Sequence, residues 1–179
     1  NCGRANKMYK MYKYKGGFRF AYILFLACLW TASLVSAGVS ANSADIEVLT
    51  VEGTIVPVVV NYLDRGISRA EKEGSIVCII ELNTPGGLLN ATEKIVQRIL
   101  NAEVPIVVYV SPTGSWAASA GTFITIAGHI AVMAPGTSIG AAHPVTVGEE
   151  MPKEVSKKVT EYSSAWIRSI AEIRGRDPV

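Results

Sequence analysis

Residues 75–87 read Ser-Ile-Val-Cys-Ile-Ile-Glu-Leu-Asn-Thr-Pro-Gly-Gly. The first eight are an almost continuous apolar run rich in β-branched side chains, as expected of a strand buried on both faces of a parallel sheet. The run ends in a turn, Asn83-Thr84-Pro85-Gly86-Gly87. A helix is predicted from there to about residue 102, with Leu88, Ala91, Ile95, Ile99 and Leu100 on one face and Glu93, Lys94 and Arg98 on the other.

Working outward, Gly74 stands where the C-terminal cap of a helix belongs. Residues 57–73 before it carry Val59, Tyr62, Leu63, Ile67 and Ala70 at helical spacing, and Pro57 fits a first helical position, which needs no N–H partner. Residues 45–52 alternate polar and apolar and predict a first strand, broken by Gly53. Downstream, residues 104–110 predict another buried strand and 116–127, small and uncharged, a deeply packed helix. Residues 130–134 predict a fourth strand, 135–140 a loop and 153–174 a further helix. Strands alternating with helices through short connections give repeated β-α units and a mainly parallel sheet, an α/β fold.

The 179 residues are 49% hydrophobic and 18% charged, which suits one folded domain and excludes a disordered chain. Six of the 17 basic residues lie in residues 1–19, which hold no acid; the other 11 face 15 acidic residues, so the body carries −4. A mildly acidic body gives no electrostatic reason to expect nucleic acid as a partner. The basic head leads into the uncharged run 20–39, followed by small residues. Residues 20–41 therefore read as a signal peptide, cleaved after a small-residue site near residues 35–41, with an uncleaved membrane anchor as the alternative. Either way the basic side stays cytoplasmic and the body lies at the membrane or is exported, on the extracytoplasmic side. The chain opens on Asn1 and closes at residues 177–179 straight after a helical pattern, so residues 45–179 are read as a domain truncated at its C-terminus.

Cys2, Cys28 and Cys78 offer no disulfide framework. His129 and His143 are the only histidines, and neither has a Cys or carboxylate at ligand spacing, so no metal or other cofactor is expected. Two strand ends carry unusual residues, and in an open parallel sheet ligands gather at the carboxyl ends of strands. The pair Gly86 and Gly87 lets backbone approach a ligand closely, just before a helix N-terminus with free N–H groups. A plain connection needing positive φ would use the same pair. The other strand end leads to Ser119, flanked by Ala118 and Ala120 at the start of an apolar helix, a setting that suits a nucleophile attacking a carbonyl. Ser115 competes for that role, and small residues also serve tight helix packing.

Thr84-Pro85-Gly86-Gly87, then 117–122 (Ala-Ala-Ser-Ala-Gly-Thr), then 133–140 (Met-Ala-Pro-Gly-Thr-Ser-Ile-Gly) resemble the NfeD-type membrane-bound serine proteases. These belong to the ClpP/crotonase-like group and are related to signal peptide peptidase A. The resemblance runs from about residue 46 to 176 and implies a ClpP-like serine protease domain with a Ser/Lys dyad. Ser119 would be the nucleophile. Lys158, in the setting Lys158-Val159-Thr160-Glu161-Tyr162 and 39 positions on, would be the base. Backbone N–H groups of Gly87 and Ala120 would form the oxyanion hole, with Gly86, Ser138 and His143 as candidates to line the substrate cleft. Lysine at its usual pKa of about 10.4 is protonated at neutral pH, so a lysine base has to be desolvated or set beside another cation. Lys157 and Lys153 are alternatives, and His143 offers a rival base. The resemblance further implies an apolar protein or peptide substrate, a stomatin-like membrane protein as partner, and self-association. The leading expectation is a membrane-associated endopeptidase. A non-catalytic scaffold binding a stomatin-like partner on the same fold is the alternative.

Overall fold

Residues 45–142 and 152–177 are described by the structure, a computed structural model. In chain order the elements are β1 (Ile46–Glu52), α1 (Pro57–Glu73), β2 (Val77–Asn83), α2 (Leu89–Leu100), β3 (Ile106–Val110), β4 (Trp116–Ala118), α3 (Ala120–Ala127), β5 (Ile130–Met133), β6 (Ser138–Gly140) and α4 (Lys153–Ile173). The main sheet has the order β1-β2-β3-β5, and every pair in it is parallel. A second sheet pairs β4 with β6, also parallel. The expected α/β fold with a parallel sheet is what forms.

Side-chain alternation builds the core. The register places Leu49 beside Ile80 and Ile80 beside Val108, with Val51, Leu82 and Val110 in the next inward row. These join Leu63 and Ile67 of α1, Ile95 and Ile99 of α2, Ile124 of α3 and Ile170 of α4 in one buried cluster. Cys78 is part of it, and burial pushes its thiol up to about 11, so it packs as a small neutral hydrophobe. The helix ends follow local chemistry. Pro57 opens α1, and Gly74 closes it in the left-handed conformation (φ 71°), its N–H donating to the carbonyls of Ala70 and Glu71.

Three expectations are revised. The strands at 77–83 and 106–110 bury one face only. Val48, Ile79, Val107 and Ile130 form a row across the opposite face, where Val48 and Ile130 are about half exposed, because no described helix lies over it. Residues 116–127 are not one helix. Trp116–Ala118 is extended because it pairs on one side with β6 and on the other with Thr84. The same pairing makes residues 138–140 a strand rather than a loop. The basic head and the run at 20–41 lie outside the described residues. Among the described residues no helix is long and apolar enough to cross a membrane.

Helices α1 and α2 are clamped by Arg98, which donates to Glu71 Oε2 (2.6 Å), Glu71 Oε1 (3.0 Å) and Asp64 Oδ1 (2.9 Å). Hydrogen bonding from Arg98 holds the Glu71 carboxyl below its ordinary value, although burial opposes it. A lowered carboxylate pKa adds stability above the ordinary carboxylate range that is lost as pH falls through it. Arg98→Ala should cost about 2 kcal/mol, between an exposed and a buried pair. It should also flatten the loss of stability between about pH 5 and pH 3, measured by urea unfolding across that range.

Candidate active site

Thr84, fully buried at the end of β2, ties the glycine turn to β4. Its N–H donates to Trp116 O (2.8 Å) and its carbonyl accepts from Ala118 N (3.0 Å). Its Oγ1 accepts from Gly86 N at 3.1 Å, closing the turn on itself. On the far side of the turn, Ile55 N donates to Gly86 O (2.9 Å) and Leu88 N donates to Ile55 O (2.9 Å). A trans peptide points its C=O and N–H in opposite directions. With Gly86 O turned to Ile55, the Gly87 N–H points away from it, and it has no hydrogen-bond partner among the described residues. Only glycine fits at both positions. A Cβ at Gly87 would lie 2.2 Å from Ile55 O, and Gly86 has φ +120° with Ser119 Cβ only 2.8 Å from where its own Cβ would be.

Ser119 stands at the turn from β4 into α3 with φ 51° and ψ −110°, a region a non-glycine residue rarely enters. Surrounding hydrogen bonds hold it there. Ser119 N donates to Gly140 O (2.8 Å), and Thr122 N donates to Ser119 O (3.0 Å). Thr122 Oγ1 donates to Gly140 O (2.8 Å) and accepts from Gly140 N (3.1 Å), which pins the end of β6 against the start of α3. The Ala120 N–H, first of α3, likewise has no partner among the described residues.

Gly86, Gly87, Ser119 and Ala120 line one cleft of about 760 Å³. Its walls are mainly apolar, with Val56, Pro85, Leu88, Leu89, Phe123 and Ala142, and none of its lining residues is charged. Thus four of the residues singled out in the sequence are brought together. Others are not. Ser138 is exposed in β6 and donates from its N–H to Ser115 O (3.2 Å); Gly140, two positions on, is the residue that borders Ser119. The competing Ser115 is buried and does not line the cleft. His143 lies outside the described residues. Lys158 is exposed on α4 and does not line the cleft, and Lys157 pairs with Glu161 at 3.9 Å in solvent. His129 accepts from Ile106 N on its Nδ1 (3.1 Å), and burial followed by the charges of Arg174 and Arg176 lowers its pKa. It braces β3 away from the cleft.

Phe123 and Ser163 are among the lining residues that the sequence reading did not single out. Phe123 lies one turn past Ser119 and stacks on Trp166 with centroids 4.5 Å apart. Ser163 is a buried lining residue on α4, and its chain neighbour Tyr162 donates from Oη to Glu93 Oε1 (2.9 Å). The spacing of Ser163, Trp166, Ile167 and Ile170 marks that face of α4, but only the fold says what it meets.

A family profile described as NfeD1b, N-terminal domain, matches residues 45–179. The chain belongs to the NfeD1b N-terminal domain family. A membrane-bound protease, PH1510, of Pyrococcus horikoshii is 42% identical over 132 residues, covering 73% of this chain and 30% of that protein. Among solved structures, a 1510-N membrane-bound stomatin-specific protease, in a lysine-to-alanine form bound to a substrate peptide, superposes with TM-score 0.69 at 40% identity. That match covers 74% of this chain and 62% of the other. ClpP1 of Listeria monocytogenes matches with TM-score 0.57 at 21% identity over 74% of each chain, a likeness of fold. This NfeD1b-family chain therefore spans about a third of the length of the curated relatives it matches.

The strained backbone at Ser119 gives a direct test. Glycine carries no penalty at positive φ, so Ser119→Gly should be more stable than Ser119→Ala by about 1 kcal/mol, read from urea midpoints. Equal stabilities would mean that Ser119 is not held in that conformation in solution.

Proposed function

We propose that the protein is a membrane-associated serine endopeptidase that cuts apolar segments of membrane proteins through an acyl-enzyme on Ser119. The observation that carries this reading is the meeting of Ser119, at strained φ, with two unpartnered N–H groups, those of Gly87 and Ala120, in one apolar cleft. Ser119 Oγ attacks the scissile carbonyl carbon and passes its proton to a neutral lysine amine. The oxygen of the tetrahedral intermediate takes hydrogen bonds from Gly87 N and Ala120 N, donors of a kind worth about 3–4 kcal/mol of barrier each. Collapse expels the amine, protonated by the same lysine, and water then releases the acyl group by the reverse route. Lys158 is the base in this reading, on its position in the family setting, and Gly86 and His143 border the bound peptide. Because Lys158 is exposed on α4, about 140° around the helix from Ser163, the first turns of α4 must turn toward Ser119 when substrate binds.

Membrane association is supported by the name of the relative from Pyrococcus horikoshii and by the basic head and apolar run at 1–39. The same order of charge puts the domain on the extracytoplasmic side. A stomatin-like membrane protein is the partner, on the strength of the related protease bound to its peptide. Self-association completes the proposal. A second reading, a scaffold that binds such a partner without cutting it, draws on the uncharged lining of the cleft.

Cleavage of an apolar peptide panel by wild type, Ser119→Ala and Lys158→Ala separates the two readings. The peptidase should lose at least a thousandfold in kcat with either change while keeping its fold, on the order seen for a missing nucleophile or base. Undiminished cutting by Ser119→Ala would remove the nucleophile. Full activity in Lys158→Ala would move the base to Lys157, Lys153 or His143. A folded wild type that binds but cuts no peptide would favour the scaffold.

A further inference from the structure

A second cavity, of about 430 Å³, opens over the carboxyl ends of β1, β2 and β3, and it shares no lining residue with the cleft of Ser119. Alternation along the strands sets its chemistry. With Val51, Leu82 and Val110 turned into the core, Thr50, Glu52, Glu81, Asn83, Tyr109 and Ser111 turn to the opposite face, and all six line the cavity. The register sets Glu81 beside Thr50 and Tyr109, and Glu52 beside Asn83. Glu52 and Glu81 are therefore diagonal neighbours, with Cα atoms about 8 Å apart by strand spacing. Their charges are unmatched. Thr50 Oγ1 donates to Glu81 Oε2 (3.1 Å), Glu52 has no side-chain partner among the described residues, and none of the lining residues is basic.

Ser111 is an independent sign of a ligand. It is only 8% exposed and its N–H donates to Leu82 O (3.3 Å), yet its Oγ has no hydrogen-bond partner among the described residues. Ser163 Oγ is the one unpartnered buried side-chain oxygen sealed from solvent among the described residues; that of Ser111 is not sealed and can be reached from the cavity. A hydroxyl in that state favours a ligand that supplies the missing bond. A metal ion fits poorly. No three acidic, His or Cys side chains gather to hold one among the described residues, and the space is far larger than an ion.

We propose that this cavity binds a guanidinium group, the chemistry of an arginine side chain offered by another protein or of a small free guanidinium. A planar guanidinium carries five donors in a fixed fork, enough to serve Glu52, Glu81 and the Ser111 hydroxyl, and its face stacks on an aromatic ring such as that of Tyr109. An ammonium, with three donors and no flat face, matches these partners less well. The site is independent of the peptidase reading, since no residue of the cleft takes part.

The probe is the tripeptide acetyl-Gly-Arg-Gly-amide, titrated into the 15N-labelled full chain in nonionic micelles and followed by amide chemical shifts. It should bind with a Kd on the order of millimolar and move the signals of Glu81, Asn83 and Ser111 while those of Gly87 and Ser119 stay in place. The same peptide with citrulline, which keeps the shape and loses the charge, should bind about tenfold more weakly, and the lysine peptide about threefold. Glu81→Gln and Glu52→Gln should each weaken the arginine peptide about fivefold and Ser111→Ala about threefold, with the rest of the spectrum showing an unchanged fold. Methylguanidinium separates the two sources: equal affinity means that a free small guanidinium suffices, and tighter binding of the tripeptide means an arginine side chain. Equal binding of the citrulline peptide overturns the proposal, as do shifts that miss the cavity or affinity that survives both glutamine variants. Displacement of the tripeptide by equimolar magnesium or calcium would give the cavity to a metal ion and overturn it too.

Discussion

The site depends on how Thr84 distributes its polar groups. Its N–H and carbonyl are both taken by β4, from Trp116 and Ala118, while its hydroxyl folds the glycine turn back on itself. One fully buried residue thereby joins the main sheet, the small sheet and the turn. Gly121 extends the same contact, since a Cβ there would lie 2.7 Å from Thr84 Cγ2, and α3 can press against the turn only because that atom is missing. With β4 held to Thr84 on one side and to β6 on the other, the chain must reverse at Ser119 within a single residue. That reversal sets the positive φ and starts α3 at Ala120, whose N–H has no partner among the described residues and borders the same cleft as Gly87. The position of Ser119 is the geometric consequence of two strands and a helix that converge on one threonine.

Most of the architecture was legible because it rests on local patterns. Periodicity located α1, and Pro57 and Gly74 bounded it by backbone chemistry that needs no neighbour. β1 and β5 came from the same kind of reading. β4 was misread because its apolar, small-residue composition is that of the helix that follows; what makes it extended is pairing with residues about 20 positions downstream and with Thr84. Gly86, Gly87, Ser119 and Ala120 could be nominated because glycine pairs and a lone hydroxyl at a helix start are visible in sequence. Ser163 could not, because a serine in an amphipathic helix is ordinary until the helix is seen to cross α2 and α3 at the cleft.

The lysine of the proposed dyad is the part of the site that the fold positions least directly. The C-terminal end of α4 is fastened, Arg174 donating to Ala127 O (2.7 Å) and Ile99 O (3.0 Å) and Arg176 to Gly128 O (3.0 Å). Burial lowers the Arg174 pKa, but a guanidinium keeps its charge, so these bonds hold at any ordinary pH. Tyr162 and the Trp166 stack fasten the middle of the helix against α2 and α3. The first two turns have no comparable tether among the described residues, and Lys153, Lys157 and Lys158 on them are exposed. Any approach of a lysine to Ser119 is therefore a rearrangement of those turns about a fixed C-terminal half. It is also what an amine needs on chemical grounds, since a solvated lysine is protonated and becomes a base only on leaving water.

The uncovered face of the main sheet follows from the same sequence that first suggested a strand buried on both sides. Val77, Ile79, Val107 and Val132 are the residues a parallel sheet places under a second layer, and a sheet with one wet face would carry polar residues there instead. Toward the carboxyl end the same face does turn polar, with Thr50 donating to Glu81 Oε2 (3.1 Å) and Tyr109 beside it in register. Apolar residues thus dominate the amino-terminal half of this face, and Val132 of β5 is the apolar member of the Thr50–Glu81–Tyr109 row. A cover laid over that half would bury apolar sheet surface at the end of the strands opposite Thr84 and the glycine turn.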